Sequence, residues 1–111
     1  MSAIEDGLSH LEQATTLDKQ IIKFIKLSGE HNLQGYSSAI RVIRGNGCYS
    51  YVGRIKNLQI QNVSIGTGCT NRGNVAHEFM HALGFDHEQA RPDRDDYVNV
   101  IYENIKEGRY F

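Results

Sequence analysis

The 111-residue sequence has little net charge, no long apolar run and only two cysteines. Each of these features excludes a class of protein. Its 12 basic and 13 acidic residues give a net charge of −1, which does not suggest a nucleic-acid or membrane-surface partner. No run approaches the length of a membrane span, and residues 1–6 lack the basic and apolar regions of a signal peptide, so we expect neither. Two cysteines are too few for a small disulfide scaffold. The composition is otherwise that of one ordinary globular domain.

One stretch of the chain carries the pattern H-E-x-x-H-x-x-G-x-x-H, which begins at His77. On a helix, His77 and His81 lie on one face, one turn apart, so their imidazoles can bind one ion together. Glu78 lies beside the first of them, where its carboxylate can reach a water on the metal. Gly84 accepts the left-handed conformation that ends a helix, and the reversal brings His87 back as a third ligand. Three protein ligands leave a fourth position open, which indicates a catalytic rather than a structural zinc site.

A buried helix with stray polar residues is the alternative interpretation of this stretch. Its apolar residues cover most sides of such a helix: Val75, Ala76, Phe79, Met80, Ala82 and Leu83. Burying two histidines and a glutamate there without partners would cost about 2–7 kcal/mol for each unpaired polar group. A metal removes that cost. We therefore predict a site for one Zn²⁺ per chain.

The two cysteines, Cys48 and Cys69, leave two alternatives open. A bridge between them would close a loop of about 20 residues, worth about 3 kcal/mol in the chain-entropy model. Such a bridge would also imply an oxidising compartment. Two buried free thiols fit the residues equally well.

The hydrophobic pattern predicts an α+β fold with a helix, several short strands and a second helix. The first helix is expected over residues 2–16, with Ser2 and Glu5 forming a capping box. Strands are expected at residues 21–27, 38–44, 48–52 and 58–65. The polar segment 30–38 is expected to be a loop. The second helix, which carries the histidine motif, is expected over residues 73–83.

Residues on both sides of the motif extend its pattern. Glu88 follows the third histidine, and residues 91–98 read R-P-D-R-D-D-Y-V. Upstream, residues 47–54 read G-C-Y-S-Y-V-G-R, and residues 64–66 (S-I-G) come shortly before Cys69. These segments resemble the astacin family of metzincin endopeptidases, and the glutamate after the third histidine favours it over matrix metalloproteinases or adamalysins. The resemblance implies a zincin-like N-terminal subdomain, with a twisted, mostly parallel or mixed sheet, an N-terminal helix and an active-site helix.

The resemblance also implies a role for each matched residue of the motif. His77, His81 and His87 match the family's zinc ligands, and Glu78 matches its general base. The implied function is a zinc-dependent endopeptidase that hydrolyses peptide bonds by means of a zinc-bound water and the glutamate. Its partner would be a peptide or protein substrate, and its location would be extracellular.

Two further features carry over from the family. Cys48 and Cys69 match a family disulfide, which favours the bridged alternative. Cys48, Tyr49, Ser50 and Tyr51 resemble the edge strand at the upper rim of the cleft, where a substrate backbone can add as an antiparallel strand. An ordinary core strand is the alternative for these four residues.

The sequence departs from the family pattern in two respects. It ends before the family's Met-turn, and its methionines, Met1 and Met80, do not lie in one. Residues 1–111 are therefore expected to be one truncated astacin-like peptidase domain, the N-terminal part of the catalytic domain, with its C-terminal subdomain absent. An inactive zinc-binding fragment of such a protease is the alternative function. The family's N-terminal ammonium partner for Glu88 is not expected here, so Glu88 is expected to be solvated or destabilising.

Overall fold

The structure is a computed structural model that describes residues 2–29 and 33–108. Within them lie two α-helices and three short 3-10 helices: α1 (Ala3–Ala14), α2 (Arg72–Ala82), Glu88–Ala90, Arg94–Asp96 and Tyr102–Asn104. Both predicted α-helices are confirmed to within two residues at each end. Of the loop predicted over residues 30–38, residues 33–38 contain no helix or strand, and residues 30–32 lie outside the description. As far as the description extends, no helix has the length and hydropathy that a membrane crossing needs.

Helix α1 begins at a cap that its sequence supplies. The backbone N–H of Glu5 donates to Oγ of Ser2 at 3.1 Å, and the N–H of Ser2 donates to the Glu5 carboxylate at 3.1 Å. The predicted capping box is therefore confirmed. These two bonds satisfy backbone donors that have no acceptor within the helix.

A mixed sheet lies beside the helices. In the part of the chain that the structure describes, its strands are β1 (Ala39–Ile43), β2 (Cys48–Ser50) and β3 (Ile60–Ile65), in the order β1-β3-β2. Strand β1 runs parallel to β3, and β2 runs antiparallel to it. The strands predicted at residues 38–44, 48–52 and 58–65 are thus confirmed with shorter bounds. The α+β class and the mixed sheet are confirmed with them.

The strand predicted at residues 21–27 is wrong, because that segment forms no strand. The backbone N–H of Phe24 donates to a carboxylate oxygen of Glu12 at 2.6 Å rather than to a neighbouring strand. A groove of about 1150 Å³ is lined by this segment and by β1, and no hydrogen-bond ladder joins the two. One apolar side chain of the segment still reaches the core, since the Phe24 ring packs edge-on against Phe79 with centroids 5.6 Å apart, whereas Ile21 and Ile25 are exposed.

The core lies between the two helices and the sheet. Its buried apolar side chains come from α1, β3, the loop before α2, and α2 itself: Leu11, Val63, Ile65, Cys69, Val75 and Phe79. Gly7 lets α1 approach α2 closely, because a Cβ at this position would lie 2.5 Å from Cγ1 of Val75. Arg72, at the start of α2, donates two hydrogen bonds of 3.0 Å to the Asp6 carboxylate in α1. Both contacts hold α1 against the helix that carries the histidine motif.

The ion pair is the weaker of these two contacts. Hydrogen bonding to the Arg72 guanidinium lowers the pKa of Asp6. Because folding lowers this pKa, the ion pair stabilises the fold at any pH above the ordinary pKa of an aspartate. The stabilisation is lost as the pH falls through the lowered pKa of Asp6. The side chains of Arg72 and Asp6 are 58% and 37% exposed, so water screens their attraction. Close packing at Gly7 is therefore the stronger link between the helices.

A disulfide joins Cys48, at the start of β2, to Cys69 in the loop before α2, with Cα atoms 5.8 Å apart. The bridged alternative is confirmed, and the free-thiol alternative is wrong. Since the bridge spans 21 residues of sequence, the chain-entropy model gives it about 3 kcal/mol of stabilisation. It fastens the edge strand to the segment that leads into α2.

Replacing Gly7 with alanine should destabilise the protein. The added Cβ would lie 2.5 Å from Cγ1 and 2.6 Å from Cβ of Val75, whose side chain has no exposed surface. Overpacking costs about 1–3 kcal/mol, and alanine's advantage of ~1 kcal/mol over glycine in a helix offsets only part of it. Because two atoms of Val75 would be overlapped, the cost should lie in the upper part of that range, and urea denaturation should show a net loss of about 1–2 kcal/mol in the free energy of unfolding.

Gly73→Ala is the matched control for that measurement. Gly73 lies in α2, and a Cβ added there would come no closer than 3.4 Å to a neighbouring atom, Oδ1 of Asn71. Alanine should therefore stabilise the protein at this position, by up to about 1 kcal/mol. Equal effects of the two substitutions would contradict the close packing of α1 on α2.

Candidate metal centre

Helix α2 begins at an asparagine cap and presents two histidine rings close together. Oδ1 of Asn71 accepts the backbone N–H of Asn74 at 2.9 Å, which satisfies one of the free donors of the first turn. One turn of helix separates His77 from His81, and their ring centroids lie 4.6 Å apart in an edge-to-face arrangement. The structure therefore brings together the pair that the sequence spacing predicts.

The helix ends in a reversal centred on Gly84. This glycine has a φ of +107°, in the left-handed region that other residues rarely adopt. Its N–H donates to the carbonyl oxygen of His81 at 2.8 Å, and the N–H of Phe85 donates to that of Met80 at 3.1 Å. The predicted reversal is therefore confirmed, and it carries His87 back towards the two helix histidines.

Three imidazoles converge after this reversal. Nε2 of His87 lies 3.0 Å from Nε2 of His81 and 3.3 Å from Nε2 of His77. One ligand atom from each residue falls within 4.8 Å of the other two. With Zn–N bonds of about 2.0–2.1 Å, a tetrahedral zinc holds its nitrogens about 3.4 Å apart. The three histidines thus fit the donor set and the spacing of one such ion.

His81 is the best fixed of the three. It is 8% exposed, whereas His77 and His87 are exposed. Its Nδ1 lies 2.7 Å from the carbonyl oxygen of Phe85. Because a carbonyl oxygen can only accept, Nδ1 must carry the proton, and Nε2 keeps its lone pair towards the other two histidines. Hydrogen bonds of this kind orient metal-binding histidines in proteins.

Glu78, the predicted base, follows the first histidine and is 6% exposed. Within residues 2–29 and 33–108, no hydrogen bond or ion pair engages its carboxylate, and no buried side-chain oxygen is left without a partner. Its oxygens therefore keep contact with solvent rather than with another side chain. A carboxylate in that state is free to accept a hydrogen bond from water.

Strand β2 lies at the edge of the sheet, where the resemblance put the rim of the cleft. It contains Cys48, Tyr49 and Ser50, and Tyr51 follows its last residue. In the described sheet it pairs only with β3, so its other edge has unpaired backbone groups. Tyr49 and Tyr51 are 48% and 63% exposed, which favours the edge strand over the core-strand alternative. Substrate addition at this edge stays a prediction.

The sequence interpretation missed the partner of Glu88. Nη1 of Arg91 donates to Oε2 of Glu88 at 3.2 Å, while its Nε and Nη2 each donate to the Asp93 carboxylate at 3.0 Å. The bonds to Asp93 and then to Glu88 raise the pKa of Arg91. The side chain of Glu88 is nevertheless 75% exposed, which agrees with the solvated alternative, and water screens its ion pair with Arg91. A basic residue three positions after Glu88 is the sequence signal that could have indicated it.

The chain thus combines an α+β fold with three convergent imidazoles on one helix and the turn that follows it. The family model for Astacin, a family of peptidases, matches residues 1–111. The chain belongs to the astacin family, as the resemblance implied.

Longer proteins and a solved structure are similar to the chain. It is 46% identical to Blastula protease 10 of Paracentrotus lividus over 109 residues, which are 97% of this chain and 17% of that protein. It is 46% identical to meprin A subunit beta of Rattus norvegicus over 91 residues, which are 82% of this chain and 12% of that one. A solved structure, that of High choriolytic enzyme 1, a hatching enzyme zinc-protease from Oryzias latipes (medaka fish), matches with a TM-score of 0.67 and 35% sequence identity. The match covers 95% of this chain and 46% of the chain of that enzyme. The chain thus spans less than half of each of these relatives.

Replacing His87 with alanine should remove tight metal binding, because only two imidazoles would remain. We expect the zinc dissociation constant, measured by competition with a chromophoric chelator, to rise by at least about 100-fold. Loss of a residue that only supports a metal ligand already weakens binding by up to about 100-fold, and loss of the ligand itself should cost more. His10→Ala is the control, since His10 is exposed and does not belong to the triad. Equal zinc affinity in the His87 variant and the unmodified chain would exclude the triad as the metal site.

Proposed function

We propose that this chain is the metal-binding part of a zinc-dependent endopeptidase, a protein that hydrolyses peptide bonds. One observation carries the proposal: three imidazole nitrogens converge at a spacing that suits the ligands of one ion, and the residue after the first histidine is a buried glutamate that no described residue bonds. His77, His81 and His87 would hold one Zn²⁺ in this centre. The ion would lower the pKa of a bound water to about 7 and polarise a carbonyl oxygen.

Glu78 is the proton carrier in this proposal. Its carboxylate takes a proton from the water that attacks the scissile carbonyl, and later gives it to the leaving amine. The proposal requires this carboxylate to stand within hydrogen-bond reach of the proton that it accepts, and its position directly after His77 in the helix suits that requirement. The absence of a competing salt bridge among the described residues keeps the carboxylate free to turn towards the water.

The substrate in this proposal is an extended peptide that lies along β2. The free edge of an antiparallel strand offers backbone donors and acceptors in register, which binds a peptide with little dependence on its side chains. Tyr49 and Tyr51 are exposed beside that edge and would contact the side chains of the peptide. The Cys48–Cys69 bridge supports an extracellular or other oxidising location for such a protein.

A second candidate function is an inactive zinc-binding fragment of such a protease. The exposure of His77 and His87 favours it, since nothing in the described part of the chain covers the open side of the triad. A site without a second wall holds a substrate poorly, because positioning supplies much of the rate. This candidate predicts zinc binding without turnover, and a peptidase assay on the unmodified chain separates the two.

Glu78→Gln should keep the metal and lose hydrolysis. The amide has nearly the shape of the carboxylate but cannot take up a proton, and loss of a general base lowers the rate by about 10²- to 10⁴-fold. Zinc stoichiometry by atomic absorption and cleavage of a fluorogenic peptide would be measured on both proteins. Gln89→Glu is a control that changes an exposed side chain near the third histidine and should leave the rate unchanged.

Full turnover by the Glu78→Gln variant would contradict the proposed mechanism. Zinc at one per chain with no turnover in either protein would favour the inactive fragment. Zinc binding by neither protein would contradict both candidates.

A further inference from the structure

We infer that Gln61 is a positioning residue that holds the loop after β2 against the end of α2, and so sets the place of His81. The inference rests on the proposed function, because it concerns how the metal centre is held in place. Gln61 lies on β3 and is 6% exposed, while its neighbour Asn62 points the other way and is exposed. A buried amide must satisfy both its donor and its acceptor, so its partners reveal what it holds.

Both ends of the Gln61 amide bind the backbone of one loop. Nε2 donates to the carbonyl oxygen of Gly53 at 3.1 Å, and Oε1 accepts the N–H of Ile55 at 2.9 Å. One side chain thus fixes two residues of the connection between β2 and β3. Without it, two backbone groups in this part-buried region would lose their partners.

The loop that Gln61 holds is in turn bonded to the end of the metal-binding helix. The N–H of Gly53 donates to the carbonyl oxygen of His81 at 2.8 Å, the same oxygen that accepts the N–H of Gly84. Gly53 also stands directly against the reversal, since a Cβ built on it would lie 3.8 Å from Cα of Gly84. A continuous path therefore leads from Gln61 through Gly53 to a proposed metal ligand and to the turn that returns the third one.

This path also connects the metal centre to the proposed substrate edge. Gly53 comes two residues after Tyr51, at the point where the chain leaves the rim strand. A shift of the loop would therefore move two things at once: the Gly53 N–H that holds the carbonyl oxygen of His81, and the end of strand β2. Functional centres tolerate displacements of only about 0.5 Å, so a loosened loop should change the metal geometry even when the fold survives.

The test compares Gln61→Met with two controls on the same strand. Methionine fills a similar volume but can hold neither Gly53 nor Ile55. Asn62→Met places the same side chain on the exposed face, and Val63→Ala destabilises the core next to Gln61 without removing a hydrogen bond. Each protein would be titrated with Zn²⁺ in chelator competition, and with Co²⁺, whose visible absorption spectrum reports the ligand geometry.

We expect Gln61→Met to weaken zinc binding about 10-fold, in the range seen for outer-sphere partners of metal ligands, and to shift the Co²⁺ spectrum. Asn62→Met and Val63→Ala should keep the spectrum of the unmodified chain. If Gln61→Met does not fold, Gln61→Asn takes its place, because the shorter amide stays polar but cannot reach both backbone groups.

Two results would overturn the inference. In one, the Gln61 variant that folds keeps the affinity and the spectrum of the unmodified chain. In the other, Val63→Ala shows the same loss and the same spectral shift, which would make the effect one of general stability. Failure of the unmodified chain itself to bind either ion is a different outcome, because it would refute the proposed function and the inference with it.

Discussion

The placement of helix α2 is the constraint on which the rest of the structure depends. Two of the three convergent imidazoles and the candidate base belong to this one helix. Any rotation of the helix would therefore move all three side chains away from His87. Its apolar side is buried against the sheet and α1, and Gly7 permits a helix approach that no larger residue would allow. Its far end is held by the loop after β2 through the carbonyl of His81. Packing fixes the helix along its length, and backbone hydrogen bonds fix where it stops.

The hydrogen-bonding capacity of the imidazoles explains why a cation suits the centre. His81 uses its Nδ1 proton on a backbone carbonyl, so its Nε2 is an acceptor. Nε2 of His87 lies close to Nε2 of His81 and to Nε2 of His77. If His87 carries its proton on Nε2, that single N–H can donate to only one of the two neighbouring nitrogens. One lone pair is therefore left without a donor among the three rings. A metal ion accepts all three lone pairs at once, which no arrangement of protons on neutral imidazoles does.

Local patterns made much of this structure predictable from the sequence. The capping box, the i,i+4 histidines and the glycine reversal each depend on residues a few positions apart, and all are present. The strand expected at residues 21–27 was not predictable in the same way, because a strand requires a partner and Phe24 bonds to a glutamate of α1 instead. The role of Gln61 was hidden for the same reason, since an isolated glutamine in a strand gives no sign of the loop that it binds.

The three histidines differ in how firmly the protein holds them, and this difference has a consequence for the chemistry. His81 is buried, its tautomer is set by Phe85, and its carbonyl is anchored twice. His87 is exposed, and the Arg91 cluster braces only the turn that follows it. Outer-sphere bonds raise both the affinity and the geometric precision of a metal site. The helix end is therefore the fixed reference of the centre, and the loosely held third histidine is the ligand whose position decides how completely the site encloses an ion.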